Sequence, residues 1–284
     1  MSAAPTTGRV RQATAGGAIL ISGSVLVVIA VAALLGPSLS SHDYFSVNLA
    51  ERLESPTLDN GRFFGTDDLG RDLFVRTMSG TRVTLLVAIV ASFVSLVLGV
   101  AYGAAAGYAG GKVDAFMMRI VDALYALPFI FLVILLMVAF ERNFLLIFVA
   151  IGAINWLDMA RIVRGQTLAL KEREFVAAAR LIGVPPVVVV FRHIVPNLLG
   201  VVVVYVTLTI PQAILVESFL SFLGLGIQEP RTSLGALVNG GVSQMERAPF
   251  ALLIPATLLA VILMSFNFLG DGLRDALDPR LKAR

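Results

Sequence analysis

The stretch "EFVAAARLIGVPPVVVVFRHIVPN", residues 174–197, interrupts a chain whose other long segments are apolar. It carries Glu174, Arg180, Arg192 and His193, a run of small residues, Gly183 and the adjacent Pro185 and Pro186. From Lys171 to Leu181 the residues are good helix formers without a breaker. Gly183 ends such a helix, and the two prolines keep it from resuming in register. The pattern predicts a helix of about three turns within residues 171–183, marginal in water by itself. It needs a partner surface. Ala179 and Gly183 lie four apart with Ala178 beside them, so one face carries almost no side-chain bulk. Glu172, Arg173, Glu174 and Arg180 place charge around that face. Two readings follow: a solvated connector, or a helix on which a second protein docks and pushes.

Outward from this stretch, the 284-residue chain is 57% hydrophobic and 14% charged, whereas soluble chains are roughly half apolar and about a quarter charged. The excess falls in blocks of about 20 residues, the length that spans a bilayer as a helix. The expected fold is all-α and polytopic, with six spans near 16–36, 83–107, 119–140, 143–160, 198–219 and 250–270. The first follows Arg9 and Arg11, but its apolar run exceeds that of a signal peptide, which favours an uncleaved anchor. With both termini inside, the inner segments hold all three lysines and the basic cluster from Arg161 to Arg192, while the short outer loops hold only Arg142, Arg231 and Arg247. Residues 161–197 then lie in the cytoplasm. Residues 1–80 form a cytoplasmic tail, the first span and a long outer loop; residues 81–284 hold the other five spans.

Several functions are excluded by what the sequence lacks. There is no cysteine, hence no thiol nucleophile, disulfide or zinc-thiolate site. The net charge of +3 comes without a basic patch interleaved with aromatics, so no nucleic-acid partner is expected. A phosphate-cradling loop requires G-x-x-x-x-G-K-[ST]; "AGYAGGKV" offers Gly111 and Lys112 but has Ala106 and Val113 at the other two decisive positions. Any ATP, with its magnesium, is expected on partner subunits. His42 and His193 fall in different compartments on this topology and lack a second ligand at metal-binding spacing. No catalytic residue, bound cofactor or metal site is expected.

Within the spans, Gly99, Gly103, Gly107 and Gly111 recur at every fourth position, a spacing that bares backbone for close helix packing. The contact is either within the chain, the favoured reading, or with another subunit. Pro128, Pro211 and Pro255 fall inside predicted spans, where each removes a helix hydrogen bond. Ionisable groups in spans are functional candidates, and Asp122, Asp158 and Glu217 lie near span ends. Asp158 is within reach of Arg161 and Arg164 along one helix, which predicts a local ion pair. Glu217 and Asn267 are candidate pathway residues, with helix cross-linking the alternative for Asn267. In the long outer loop, Thr66 or Asp67 is placed to cap a short interfacial helix bearing Leu69, Leu73 and either Val75 or Met78.

The segment "EFVAAARLIG" followed by "HIVP" resembles the cytoplasmic loop of ABC importer permeases: Glu-Ala-Ala, three residues, Gly, nine residues, Ile-x-Leu-Pro. Gly183 and Pro196 fall at the expected spacing, while Ala177 stands at the Glu position and His193 at the Ile position. The segments "GTDDLGRDLFVR" (65–76), "GYAGGKVD" (107–114), "WLDMARIVRGQTLALKEREF" (156–175), "ESFLSFLGLGIQEP" (217–230) and "FNFLGDGLRDALDPR" (266–280) are similar to the oligopeptide/dipeptide/nickel permease family, more narrowly to its C-type oligopeptide subunits. The resemblance covers the chain after about residue 60. It implies a MetI-like type I importer fold in the bacterial inner membrane, with residues 81–284 as the permease core. It also implies a homologous second permease, two ATP-binding subunits and an extracytoplasmic peptide-binding protein. Residues 171–183 become the coupling helix, with Glu172, Arg173, Glu174, Phe175, Ala178, Ala179 and Gly183 as docking residues. The substrate is expected to be oligopeptide, with dipeptide or nickel as alternatives. An ion-coupled transporter would instead want acids at the midplane of a broken helix, and a membrane hydrolase a converging nucleophile and base. The acids here cluster at span ends and the lysines lie outside the spans.

Overall fold

A computed structural model describes residues 6–128, 131, 134–135 and 144–277. Its helices are α1 (Thr6–Leu39), α2 (Leu73–Ala109), α3 (Gly111–Tyr125), α4 (Phe144–Lys171), α5 (Glu174–Leu181), α6 (Pro186–Phe222), α7 (Leu234–Val242) and α8 (Pro249–Leu277). No β-strand occurs among the described residues; an isolated bridge joins Thr66 and Asp72.

Among the described residues, four helical stretches are long and apolar enough to cross a membrane: Gly16–Leu39, Leu73–Ala109, Pro186–Phe222 and Pro249–Leu277. They contain the first, second, fifth and sixth predicted spans. The 37 residues of α2 and of α6 extend about 55 Å at 1.5 Å per residue, well beyond a hydrocarbon core of about 30 Å. Both helices therefore project past the bilayer, which the span estimates of 83–107 and 198–219 did not anticipate. The fourth predicted span coincides with the first part of α4. The third is interrupted: α3 ends at Tyr125 and residues 126–128 are not helical. Pro128 disfavours helical backbone at Leu127; most of the remainder of that prediction lies outside the described residues.

The chain divides into two compact units, residues 1–89 with 211–272 and residues 90–210 with 273–283. In the first, α1 carries Leu20, Ile21, Val28 and Leu34 more than half exposed, an apolar surface suited to lipid or a neighbouring helix rather than to water. The Arg82 guanidinium of α2 donates to the carbonyls of Ala33 and Leu34 at the end of α1. Pro37 has no N–H to offer the Ala33 carbonyl four residues before it, so the guanidinium supplies the donor that the helix lacks there. Leu73, Leu237, Ala248 and Ala251 form a small core against which Phe64, Phe250 and Ile254 pack.

The long outer loop does not contain the predicted capped helix. Residues 66–71 make a tight turn: Asp67 accepts from the backbone N–H groups of Leu69 and Arg71, both at 2.9 Å. Helix α2 starts at Leu73, where Asp72 accepts from Val75 N–H at 2.8 Å. Asp72 thus does the capping assigned to Thr66 or Asp67, because Gly70, at φ +71° with Asn48 packed against its Cα, closes the turn first.

Glu217 is fully buried rather than lining a pathway. Its carboxyl accepts from Ser221 Oγ at 2.7 Å and lies 3.4 Å from Thr84 Oγ1, which in turn accepts from Leu234 N–H at the start of α7. Hydroxyls of α6 and α2 satisfy the acid, as a buried polar group requires. Asn267 is exposed on α8.

Candidate docking site at the α5 turn

The second unit builds the candidate site. Gly99, Gly103 and Gly107 of α2 face α4: a Cβ at Gly103 would meet the Ala160 carbonyl, Val163 Cβ at 2.9 Å and Arg164 N at 3.0 Å. At Gly99 the neighbour is Met159, and at Gly107 it is Thr167. The glycine ladder packs two helices of one chain backbone to side chain, as the favoured reading expected.

Helix α3 is tied to α4 by ions. Arg164 donates to both carboxylate oxygens of Asp114, at 2.5 and 2.7 Å, and Arg161 donates to Asp122 at 2.8 Å. The hydrogen bonds from Asp114 push the Arg164 guanidinium above its ordinary value, with burial opposing. The local pairing predicted for Asp158 does not form; Asp158 is exposed. Both arginines are taken from α3 instead, Arg161 by Asp122 and Arg164 by the bidentate Asp114.

The helix predicted at 171–183 is shorter. Lys171 closes α4, Glu172 and Arg173 form an exposed reversal, and α5 runs from Glu174 to Leu181. Arg173 is extended and its carbonyl accepts from Val176 and Ala177, at 3.0 and 3.1 Å. That reversal lets Val176 and Ala179, three apart on one face, enter a core with Val189, Ile194 and Leu198 of α6 and with Ala104, Met159 and Val163. Glu174 opens the helix where an acid suits the dipole.

The C-terminus of α5 is a Schellman motif: Gly183 N–H bonds to Arg180 C=O and Val184 N–H to Ala179 C=O, both at 3.0 Å. Gly183 has φ +82° and open space where a Cβ would be. Its glycine is therefore a backbone requirement, not a bare docking face. Ala179 is likewise not a docking surface, since it is 4% exposed inside the chain's own core, whereas Ala178 is exposed.

What α5 presents outward is bulkier than the sequence reading expected. Leu181 is 88% exposed and Ile182 81%, with Phe175, Val187 and Phe191 also open. The signal was available: once Val176 and Ala179 face inward, the two apolar residues before the terminal glycine fall on the outer side. Behind them the Arg180 guanidinium lies 5.1 Å from the centre of the Tyr108 ring and Lys171 Nζ 5.9 Å. The α5 turn is clamped to the end of α2 by cation–π contacts. Further along, Pro196 has no N–H to donate, and the preceding residues Val189–Ile194 form a π-helical turn, with Val195 N–H bonded to Val190 C=O. The wide turn absorbs the proline and lets α6 continue from the reversal into the span. The whole arrangement is a capped helix, anchored from behind, joined through the 182–185 turn to a long membrane helix, and apolar in front.

Among relatives, the chain is 50% identical over 270 residues to the oligopeptide transport system permease protein OppC of Haemophilus influenzae, covering 95% of this chain and 86% of that protein. It is 54% identical over 256 residues to OppC of Escherichia coli K12, covering 90% and 85% respectively. Among solved structures, an inward-facing MetNI methionine ABC transporter chain superposes with a TM-score of 0.56 at 21% identity, over 72% of this chain and 96% of that one, and so shares its fold. Residues 98–283, which include α4, the α5 turn and all of α6, match the family described as binding-protein-dependent transport system inner membrane component. The α5 turn and the helices joined to it are thus part of what the family defines, and the chain belongs to that family.

Proposed function

We propose that this chain is the transmembrane subunit of an ATP-driven importer and forms half of the pathway for oligopeptides delivered by an extracytoplasmic binding protein. The other half comes from a homologous permease, and two ATP-binding subunits grip the α5 turn from the cytoplasm. The chain spans the inner membrane several times with both termini inside. The observation that carries this reading is the Schellman-capped α5, anchored on Tyr108 and joined to α6 through the 182–185 turn, with Leu181 and Ile182 open to a partner. The roughly half identity to oligopeptide permeases over nine-tenths of the chain supports the substrate class. The chain's work is mechanical: closure of the ATP-binding subunits shifts α5, and α6 carries the shift into the membrane between two packings. ATP and magnesium are held by those partners.

The test is uptake of tri-alanine into vesicles carrying the assembled complex. Uptake is expected to vanish when the ATP-binding subunits are catalytically inactive. Persistence of uptake, driven by an ion gradient, would point to secondary transport instead. Glu174→Lys, which places the wrong charge at the start of α5, is expected to lower peptide-stimulated ATP hydrolysis several-fold. Unchanged stimulation would mean that Glu174 is merely solvated.

A further inference from the structure

The first unit contains a cavity of about 390 Å³ with a mixed polar and apolar lining, within the range of small-ligand sites. Arg71, Arg76 and Glu229 line it together with the amide side chains of Gln228, Asn239 and Gln244. Both guanidinium groups converge on one carboxylate. Arg71 donates to the two Glu229 oxygens at 3.0 and 3.3 Å, and Arg76 donates to one of them at 2.7 Å. The arginines are fixed from behind. Arg71 Nε donates to Asp67 at 2.7 Å, and the Arg76 guanidinium lies 5.2 Å from the centre of the Tyr44 ring.

Glu229 is held differently. The Arg71 and Arg76 side chains are 10% and 3% exposed, but that of Glu229 is 60% exposed. It sits in the segment between α6 and α7, whose next residue, Pro230, accepts a hydrogen bond from Tyr44 Oη at 2.7 Å. Arg76 Nη1 is buried with no acceptor among the described residues, so the carboxylate present does not exhaust the clamp. A buried guanidinium with an unused donor has unmet hydrogen-bonding demand.

We propose that Glu229 is an internal placeholder, and that Arg71 and Arg76 exchange it for the C-terminal carboxylate of a short peptide entering this cavity. The fork geometry of arginine suits a carboxylate, and the amides of Asn239 and Gln244 suit peptide groups. The exchange conserves charge: one carboxylate leaves the clamp for solvent as another enters. This assignment rests on the importer reading above, and it names a peptide site on the permease itself.

The experiment measures equilibrium binding of radiolabelled tri-alanine and of tri-alanine amide to the assembled complex, without the binding protein. Glu229→Gln removes the competing charge at a largely exposed position and is expected to tighten tri-alanine binding about tenfold while leaving the amide unchanged. Arg71→Lys, which keeps the charge but loses the fork, is expected to weaken tri-alanine about tenfold with the amide again unaffected. Equal binding of the two peptides, or no response to Glu229→Gln, would overturn the proposal. So would a Glu229→Gln effect confined to capture of the peptide-free binding protein, since the clamp would then serve a protein carboxylate. ATP-dependent tri-alanine uptake by the unmutated complex tests the importer reading separately, whichever way the amide comparison falls.

Discussion

Gly103→Leu is expected to reduce detergent-stable, correctly assembled protein more than tenfold. The reason is contact with backbone. A Cβ at this position meets the Ala160 carbonyl, Val163 and the Arg164 amide within 3.0 Å, so no side-chain rotation relieves the overlap and α2 and α4 must separate. Overpacking a well-filled interior costs about 1–3 kcal/mol when side chains can move; here the upper end or more applies. Separation also pulls Arg164 from Asp114, which couples α4 to α3. A thermal midpoint followed by size-exclusion after heating is expected to fall by about 10 °C on these costs. Gly165→Leu on the exposed side of α4, with nothing within 4 Å of its Cβ, is expected to change the midpoint little. Equal behaviour of the two variants would show that the α2–α4 contact does not hold this unit together.

Leu181→Asp combined with Ile182→Asp is expected to abolish co-purification of the ATP-binding subunits while leaving the chain inserted and folded. Both side chains are more than four-fifths exposed, so their loss removes little from the chain's own core. In a partner's groove they would be central apolar anchors, the kind of residue whose truncation costs about 2 kcal/mol or more each. Two buried charges in that groove would raise the cost further. The contrast is Ala179→Trp, which inserts bulk beside Val176, Val189 and Ile194 and is expected to damage folding before docking. Ala178, one residue away, is exposed and tolerates size in the isolated chain. If the double aspartate variant retained its ATP-binding subunits, the outward apolar face of α5 would not be the grip.

The sequence made the membrane architecture legible because apolar blocks of bilayer length are a one-dimensional signal. The four long apolar helices fall where the blocks were. It also exposed the glycine ladder, since a four-residue repeat on one helix has a single geometric meaning. It was less informative about which face of a helix is spoken for. Ala178 and Ala179 look alike in sequence, yet Val176 and Ala179 are drawn inward by α6, and Gly183 is fixed by backbone geometry. Asp158 was paired with its neighbours on the helix, although Asp114 and Asp122 reach the same arginines from α3. Glu217, read as a candidate for the pathway, is sealed by hydroxyls of α6 and α2. For the arginines of α4 and for Thr84 against Glu217 the deciding partner lies dozens of residues away along the chain. The Arg71–Glu229–Arg76 clamp, spanning residues 71 to 229, was missed for the same reason.

On the proposed function, the front of α5 is where an ATP-hydrolysing neighbour takes hold. Because the chain has no cysteine, Ile182→Cys gives one unambiguous attachment point for a short thiol-directed photo-crosslinker. In membranes actively importing tri-alanine, the adduct is expected to contain an ATP-binding subunit, with a yield that changes between nucleotide-bound and nucleotide-free complexes. Adducts that contain only lipid or the second permease, while import proceeds, would contradict the account.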